Sequence, residues 1–341
     1  MDVNRYHRQV LLPQVGAAGQ DRLFASRVLL VGCGALGCVI AEQLVRAGVG
    51  TLRIADRDVV EWTNLQRQVL FEESDARDGL PKAVAARQRL ARVNSEVTVE
   101  AIVTDVHSGN VESLAAERDV IVDGTDNVET RYLLNDVSIK HGVPWVYGAC
   151  VGTEGRVMPV RPGVTPCLRC VFPTPPSGSD LPTCDTAGVL GPAAAVVGAL
   201  QAAATIKLLV GAEGTSNLLS LDVWTPRVRV TDAGPRDPHC PACGQRRFEF
   251  LDRPAVLSTT LCGRQTVQVR PERSNGRIDL AAAAHKFAAA GAVTKTPYFI
   301  RCRLADPPDV ELTLFEDGRL LVKGLSNADS ARSLYARYVG N

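Results

Sequence analysis

Apolar β-branched runs alternate with stretches of helical period over the first 150 or so residues. RVLLV (27–31) is a continuous apolar run that stops at glycine, which predicts a buried strand. CVIAEQLVRAGV (38–49) repeats its apolar positions at helical spacing, and TLRIAD (51–56) returns to strand. The alternation continues with helix over 82–94, strand over 97–103, helix over 111–119, strand over 120–125, helix over 129–142 and strand over 144–151. An amphipathic helix is expected over 5–26, ahead of the first strand. Strand–helix repetition of this kind predicts an α/β fold with a Rossmann-like, doubly wound, mostly parallel sheet. Ligands of such sheets sit at the carboxyl ends of the strands. Those ends are GCGALG (32–37), DRDVVEWTNLQRQ (56–68) and DGTDN (123–127), so three distant segments should meet in one crevice.

The pattern changes after the last of these strands. Residues 172–186 are dense in Pro, Gly, Ser and Asp, which is loop chemistry. The apolar stretch 187–211 is alanine-rich and contains Pro192, Gln201 and Lys207, so a buried helix starting near Pro192 is expected rather than a membrane span. Residues 233–246 are again turn-rich. A first domain is assigned to 1–250 and a small α+β domain to 256–341. The latter reads as strand TVQVR, helix LAAAAHKFAAAG, strand YFIRCRL, a hairpin with the turn EDG in VELTLFEDGRLLVKG, and helix NADSARSLYARYVG.

Composition narrows the class. A formal net charge of +1, with no block of like charges, gives no reason to expect nucleic acid or an anionic membrane as partner. The N-terminal residues lack an export-signal pattern, so a cytoplasmic protein is expected. Ten cysteines in 341 residues do not make a disulfide scaffold, and four of them form two Cys-x-x-Cys pairs, which points to metal in a reducing compartment.

Gly32, Gly34 and Gly37 after a buried strand permit a tight turn and close approach of backbone to a phosphate. Asp56, ending the next strand, is placed to bond a ribose hydroxyl. Together they indicate an adenine nucleotide without separating NAD from ATP. Asp58, Asn64, Arg67, Gln68 and Lys82 follow, and Asp123, Asp126 and Asn127 end another strand. Cations neutralise a polyphosphate and a carboxylate holds Mg²⁺. Each residue alone could be a surface ion pair or a helix cap. As a set at strand ends they suit phosphate displacement, which a NAD-dependent dehydrogenase does not need. Cys167, Cys170, Cys240 and Cys243 supply a four-thiolate set suited to a structural Zn²⁺, with no position left open for water.

The segments RYHRQVLL, GCGALGC, RAGVGTLRIADRDVVEWTNLQRQ, GLPK, DGTDN and the cysteine pairs together resemble the ThiF/MoeB/HesA family, bacterial relatives of ubiquitin-activating enzymes. The resemblance covers roughly residues 5–250. It implies ATP and Mg²⁺ binding, a homodimer, and adenylation of a ubiquitin-like sulfur carrier ending in Gly-Gly, in molybdopterin, thiamine or related biosynthesis. By matching motif, Arg8 resembles an arginine that reaches the partner subunit's ATP. Asp56 resembles the ribose ligand, and Asn64, Arg67 and Lys82 the phosphate contacts. Asp126, with Asn127 beside it, resembles the Mg²⁺ aspartate. Ala35 replaces a glycine common in the family, which is mild if its φ is negative. EESDARDG, before Leu80-Pro81-Lys82, is longer than usual.

Cys184 lies in the Pro/Gly loop, where some family members bond a carrier covalently; the bland alternative is a dispensable exposed thiol. Cys33, Cys38, Cys150, Cys262 and Cys302 read as small buried residues. The C-terminal 85 or so residues resemble a domain appended in some members, suited to carrier docking or dimer support. The rival readings are activation of a conjugating ubiquitin-like modifier, dehydration of a tRNA base, a NAD-dependent dehydrogenase, and a nucleotide-binding scaffold without catalysis.

Overall fold

The computed structural model describes residues 3–176, 184–212, 217–254, 258–261, 266–270, 277–325 and 327–340. The chain divides into two compact units, Met1–Pro254 and Ala255–Asn341.

The first unit is built on an eight-stranded sheet. Its strands are β1 (Arg27–Val31), β2 (Thr51–Asp56), β3 (Thr98–Val103), β4 (Val120–Asp123), β5 (Trp145–Val151), β6 (Glu154–Val160), β7 (Asn217–Asp222) and β8 (Arg227–Asp232). They lie in the order β3-β2-β1-β4-β5-β6-β7-β8. The first five pair in parallel. The last three extend the sheet as an antiparallel meander. Strand order reverses between β1 and β4, which makes the gap at their carboxyl ends the natural binding crevice.

Both faces are covered, as a parallel sheet requires. Alternate residues of one strand feed opposite cores: Val28 and Leu30 face one apolar cluster, Leu29 and Val31 the other. The first cluster takes its cover from the helices Gly16–Ala25, Ala35–Ala47, Lys82–Val93 and Gly191–Leu209. The second packs under Val128–His141, Val111–Ala115 and the cysteine pairs. Gly191–Leu209 begins with Pro192 in its first turn, where a missing N–H does no harm. By length and composition it could cross a membrane. Here it packs on Ala35–Ala47, β5 and β6, and buries Gln201 and Thr205.

Two expectations need correcting. Residues 5–26 do not form one helix: a 3-10 turn Val3–Tyr6 and a short helix His7–Val10 are separated from Gly16–Ala25 by a turn. Pro13 lies in that turn, and Gly16 has a φ of +60°, a conformation open to glycine. The helix after the glycine loop starts at Ala35 rather than residue 38, so the loop's last residues form its first turn. Strands β6, β7 and β8 were not expected. Gly155 and Pro159 disguise β6, and β8 is exposed along its whole length.

The second unit has a six-stranded antiparallel sheet. Its strands are β9 (Ser258–Leu261), β10 (Thr266–Val269), β11 (Gly291–Lys295), β12 (Phe299–Leu304), β13 (Glu311–Phe315) and β14 (Leu320–Lys323), ordered β11-β12-β13-β14-β10-β9. The β13–β14 hairpin turns at Glu316-Asp317-Gly318, as expected. The helices Leu280–Ala288 and Ala328–Tyr338 join one core with it, including Phe287, Leu314 and Tyr335. Asp279 and Asn327 cap them through side-chain oxygens.

Candidate functional site at the strand ends

The glycine loop sets the floor of the crevice. Gly32 has a φ of +87°, and a Cβ on Gly37 would stand 2.1 Å from the Gly32 carbonyl oxygen, so neither position accepts a side chain. Gly34 is different: a Cβ there would meet only Gln68 Nε2, at 3.9 Å. That is room for a phosphate beside the first turn of Ala35–Ala47, where the N–H groups lack helical partners. Ala35 opens that helix and is not among the residues of positive φ, so it is as mild a departure as its chemistry suggests.

Asp56 ties this loop to the next strand. Its Oδ2 accepts the Cys33 N–H at 2.6 Å and its Oδ1 the Asp58 N–H at 2.7 Å. A carboxylate has lone pairs left for a ribose hydroxyl after these two bonds. Burial pushes its pKa up, opposed by the charge of Lys82. Lys82 is itself buried and pairs with Asp58 at 3.0 Å. Its backbone N–H bonds the Asp58 carbonyl, and the Val60 N–H bonds the Leu80 carbonyl. These bonds fix the register of Leu80-Pro81-Lys82. EESDARDG before them is largely the short helix Glu73–Asp78.

Asn64 and Gln68 are buried between the same segments. Asn64 Oδ1 accepts the Glu61 N–H, while Asn64 Nδ2 and Gln68 Oε1 are buried without a hydrogen-bond partner among the described residues. Buried polar atoms are rarely left unpaired, so these two mark a place for a polar ligand or water. Arg67 is half-buried and donates to the Thr63 carbonyl at 2.8 Å.

At the end of β4, Asp126 is exposed, a hard carboxylate donor of the type that suits Mg²⁺. Asn127 has a plainer role, because its Oδ1 accepts the Thr130 N–H and caps the helix Val128–His141. Asp123 is fully buried and ion-pairs with Arg131 at 3.4 Å. Arg131 also donates to the Thr125 carbonyl at 2.7 Å and lies over the Tyr147 ring. Arg57, which the motifs did not single out, pairs with Asp105 at 3.4 Å and with Asp58 at 3.8 Å. Burial works against its charge, yet Asp105, Asp58, Asp126 and Asp56 together raise its pKa. That field places Asp126 in the same acidic neighbourhood as Asp58. Arg8 is exposed on the short helix His7–Val10. Cys184 opens a one-turn helix, Cys184–Ala187, but its side chain lies outside the described residues, as does residue 262.

The four cysteines of the two pairs converge. Their sulfurs all lie within 4.8 Å of one another, with Cys167–Cys240 at 3.5 Å, Cys170–Cys243 at 3.3 Å and Cys167–Cys170 at 3.9 Å. These separations exceed a disulfide bond of about 2 Å. They match the edges of a tetrahedron around one metal with Zn–S of about 2.3 Å. The crowded sulfurs act on one another: hydrogen bonding within the cluster pulls the Cys170 and Cys240 thiols down and pushes Cys167 and Cys243 up. Adjacent residues of Val128–His141 dock it: Asn135 Oδ1 accepts the Leu168 N–H and Asp136 Oδ2 the Phe250 N–H, each at 2.9 Å. Cys33, Cys38, Cys150 and Cys302 are buried in the cores, as expected.

A model described as the ThiF family matches residues 6–242. The chain is 43% identical over 339 residues to the sulfur carrier protein ThiS adenylyltransferase of Bacillus subtilis (strain 168), covering 98% of this chain and 99% of that one. It is 40% identical to a sulfur carrier protein adenylyltransferase of Thermus thermophilus, covering 77% of this chain and 97% of the relative. The crystal structure of E. coli MccB with ATP superposes with a TM-score of 0.62 at 26% identity, covering 71% of this chain and 75% of that chain.

Proposed function

The chain belongs to the ThiF family, and from that premise we propose that it adenylates the C-terminal Gly-Gly carboxylate of a ubiquitin-like sulfur carrier, consuming ATP and releasing pyrophosphate. The observation that carries this reading is the meeting of Gly34, Lys82–Asp58, buried Asn64 and Gln68, and Asp126 at adjacent strand ends. A turn for phosphate, a buried cation and an exposed carboxylate together suit a nucleoside triphosphate with its metal.

The chemistry follows from charge. A carrier carboxylate is ionised near neutral pH and needs no general base. One of its oxygens attacks the α-phosphorus, the bond from that phosphorus to the bridging oxygen breaks, and pyrophosphate leaves with that electron pair. The obstacle is bringing an anion to a polyanion. Lys82, Arg67 and the backbone N–H groups beyond Gly34 stabilise charge on the phosphates, and Arg8 serves the active site of a second copy in a homodimer. Asp126 would hold Mg²⁺, which supplies further neutralisation when bound. Asp56 would hold the ribose.

Cys167, Cys170, Cys240 and Cys243 would hold Zn²⁺ as a structural staple, and a cluster of four free thiols suits a reducing cytoplasm. Cys184 is placed by the sequence in the loop that would present a thiol to the carrier adenylate. The unit 256–341 is assigned to carrier docking or dimer support.

The test is ATP–pyrophosphate exchange with purified protein, Mg²⁺ and a panel of carriers ending in Gly-Gly. Exchange that depends on the carrier and disappears when its final glycine is removed is the expected result. Absence of exchange with every carrier, accompanied by NAD(H) binding, would overturn it in favour of a dehydrogenase.

A further inference from the structure

The helix Gly191–Leu209 underlies all three segments of the crevice. At its start, a Cβ on Gly191 would stand 3.2 Å from the Gln66 carbonyl oxygen, next to Arg67. Two turns on, a Cβ on Gly198 would come within 2.9 Å of the Leu36 carbonyl oxygen, in the first turn after the glycine loop. At the third contact the helix presents a polar side chain. Gln201 is fully buried, and its Nε2 donates to the Asp123 carbonyl at 2.6 Å and reaches the Val146 carbonyl at 3.5 Å.

That amide sits where the sheet opens. β4 and β5 pair only at Ile121↔Trp145 and Val122↔Val146. One residue further the ladder ends, and the Asp123 carbonyl takes its hydrogen from Gln201. The opposite wall is cut to fit: a Cβ on Gly148 of β5 would lie 2.1 Å from Gln201 Cδ. Gln201 Oε1 is buried without a hydrogen-bond partner among the described residues. Leaving such an atom unsatisfied is costly, and an apolar side chain of equal length would avoid that cost. The amide is therefore an expensive way to fill space and an effective way to fix a carbonyl. Arg131 grips the same strand end through Asp123 and Thr125.

We propose that Gln201 is a positioning residue: a wedge between β4 and β5 that sets the height of the Asp123–Asn127 segment, and with it Asp126, over the nucleotide. This rests on the reading of the crevice as an adenylation site. It adds the element that couples the segments of that site, since one helix carries Gln201, Gly198 and Gly191 against each of them.

The test uses Gln201→Met, which keeps length and volume and removes the amide, and Gly148→Ala, which keeps the amide and displaces it. Full-length proteins are compared by thermal melting, by exchange kinetics varying ATP and carrier separately, by calorimetric binding of Mg·ATP, and by amide hydrogen exchange. The expected result for both variants is a KM for ATP raised about tenfold with the KM for carrier unchanged, and amide exchange accelerated across 123–127 but not 120–122. A purely structural role would instead lower kcat with both KM values unchanged. An unaltered KM for ATP together with unaltered exchange at 123–127, in whichever variant folds, overturns the wedge. If the wild-type protein shows no carrier-dependent exchange, the adenylation reading fails, and Mg·ATP binding with amide exchange decides the wedge alone.

Discussion

The strand-end crevice and the four-cysteine knuckle both join segments remote in sequence, but by opposite means. The crevice is held by backbone packed so closely that Gly32 and Gly37 admit no side chain, and it leaves polar atoms of Asn64 and Gln68 unpaired among the described residues. The knuckle joins 167–170 to 240–243 through sulfur atoms, on short turns docked to one helix. A site that keeps unsatisfied groups in a rigid frame is built for a ligand that comes and goes. A site that collects thiols from irregular chain is built to be closed permanently. Substitutions should therefore separate function from stability between the two.

The largest effect is expected at the knuckle. Stripping metal, or Cys240→Ser, should abolish cooperative melting, since small structural zinc sites contribute on the order of 10 kcal/mol to folding. Calorimetry on verified metal-free protein checks this, and an unchanged melting curve would break the contrast. Next comes Asp126→Ala in the crevice. Exchange should fall by about 10²–10³, the scale for losing one preorganised electrostatic contact, while melting stays as in the wild type because Asp126 is exposed. Retained exchange in this variant would remove Asp126 from the site.

A smaller effect tests the knuckle's anchor. Burial pushes the Asp136 carboxyl up to about 6. The folded chain therefore keeps a proton that the unfolded chain has already lost, so the fold is favoured at low pH. That contribution disappears as pH rises from about 4 to about 6, amounting to roughly 1–3 kcal/mol. Asp136→Asn should flatten this part of the stability–pH curve, measured by urea unfolding at several pH values; a persisting slope would place its origin elsewhere. The smallest effect is a baseline. Arg46→Ala removes an exposed pair with Glu42 one helical turn away, and should change stability by less than about 0.5 kcal/mol and exchange not at all. A larger change would mean that the assays do not distinguish the two regions from general surface effects.

Much of this arrangement was legible in the sequence. Apolar runs ending at glycine or aspartate announce β1, β2 and β4, and the glycine turn and Cys-x-x-Cys pairs are local patterns whose spacing is set by the chain itself. Lys82 was legible as a cation at the start of a helix, but its pairing with Asp58 was not. The residues that escaped are those defined by tertiary partners. Gln201 stood out only as a polar residue in an apolar stretch, and the carbonyl it bonds lies 78 positions away. Arg131 and Arg57 look like ordinary surface cations until burial and the surrounding carboxylates are seen. Asn127 shows the converse, because a residue type that suits a nucleotide also suits a helix cap, and in the fold it caps.

The helix Gly191–Leu209 also bears on how the chain is made. It is apolar enough to resemble a membrane segment, yet the helix Ala35–Ala47 and the strands β4, β5 and β6, on which it packs, all precede it in the chain. During synthesis the N-terminal elements emerge first. When this greasy stretch leaves the ribosome, its receiving groove has already been translated, and of the sheet it packs on only the β7–β8 hairpin is still to come. The order of elements thus shortens the interval in which a sticky helix is exposed to water, to chaperones or to the machinery that inserts proteins into membranes.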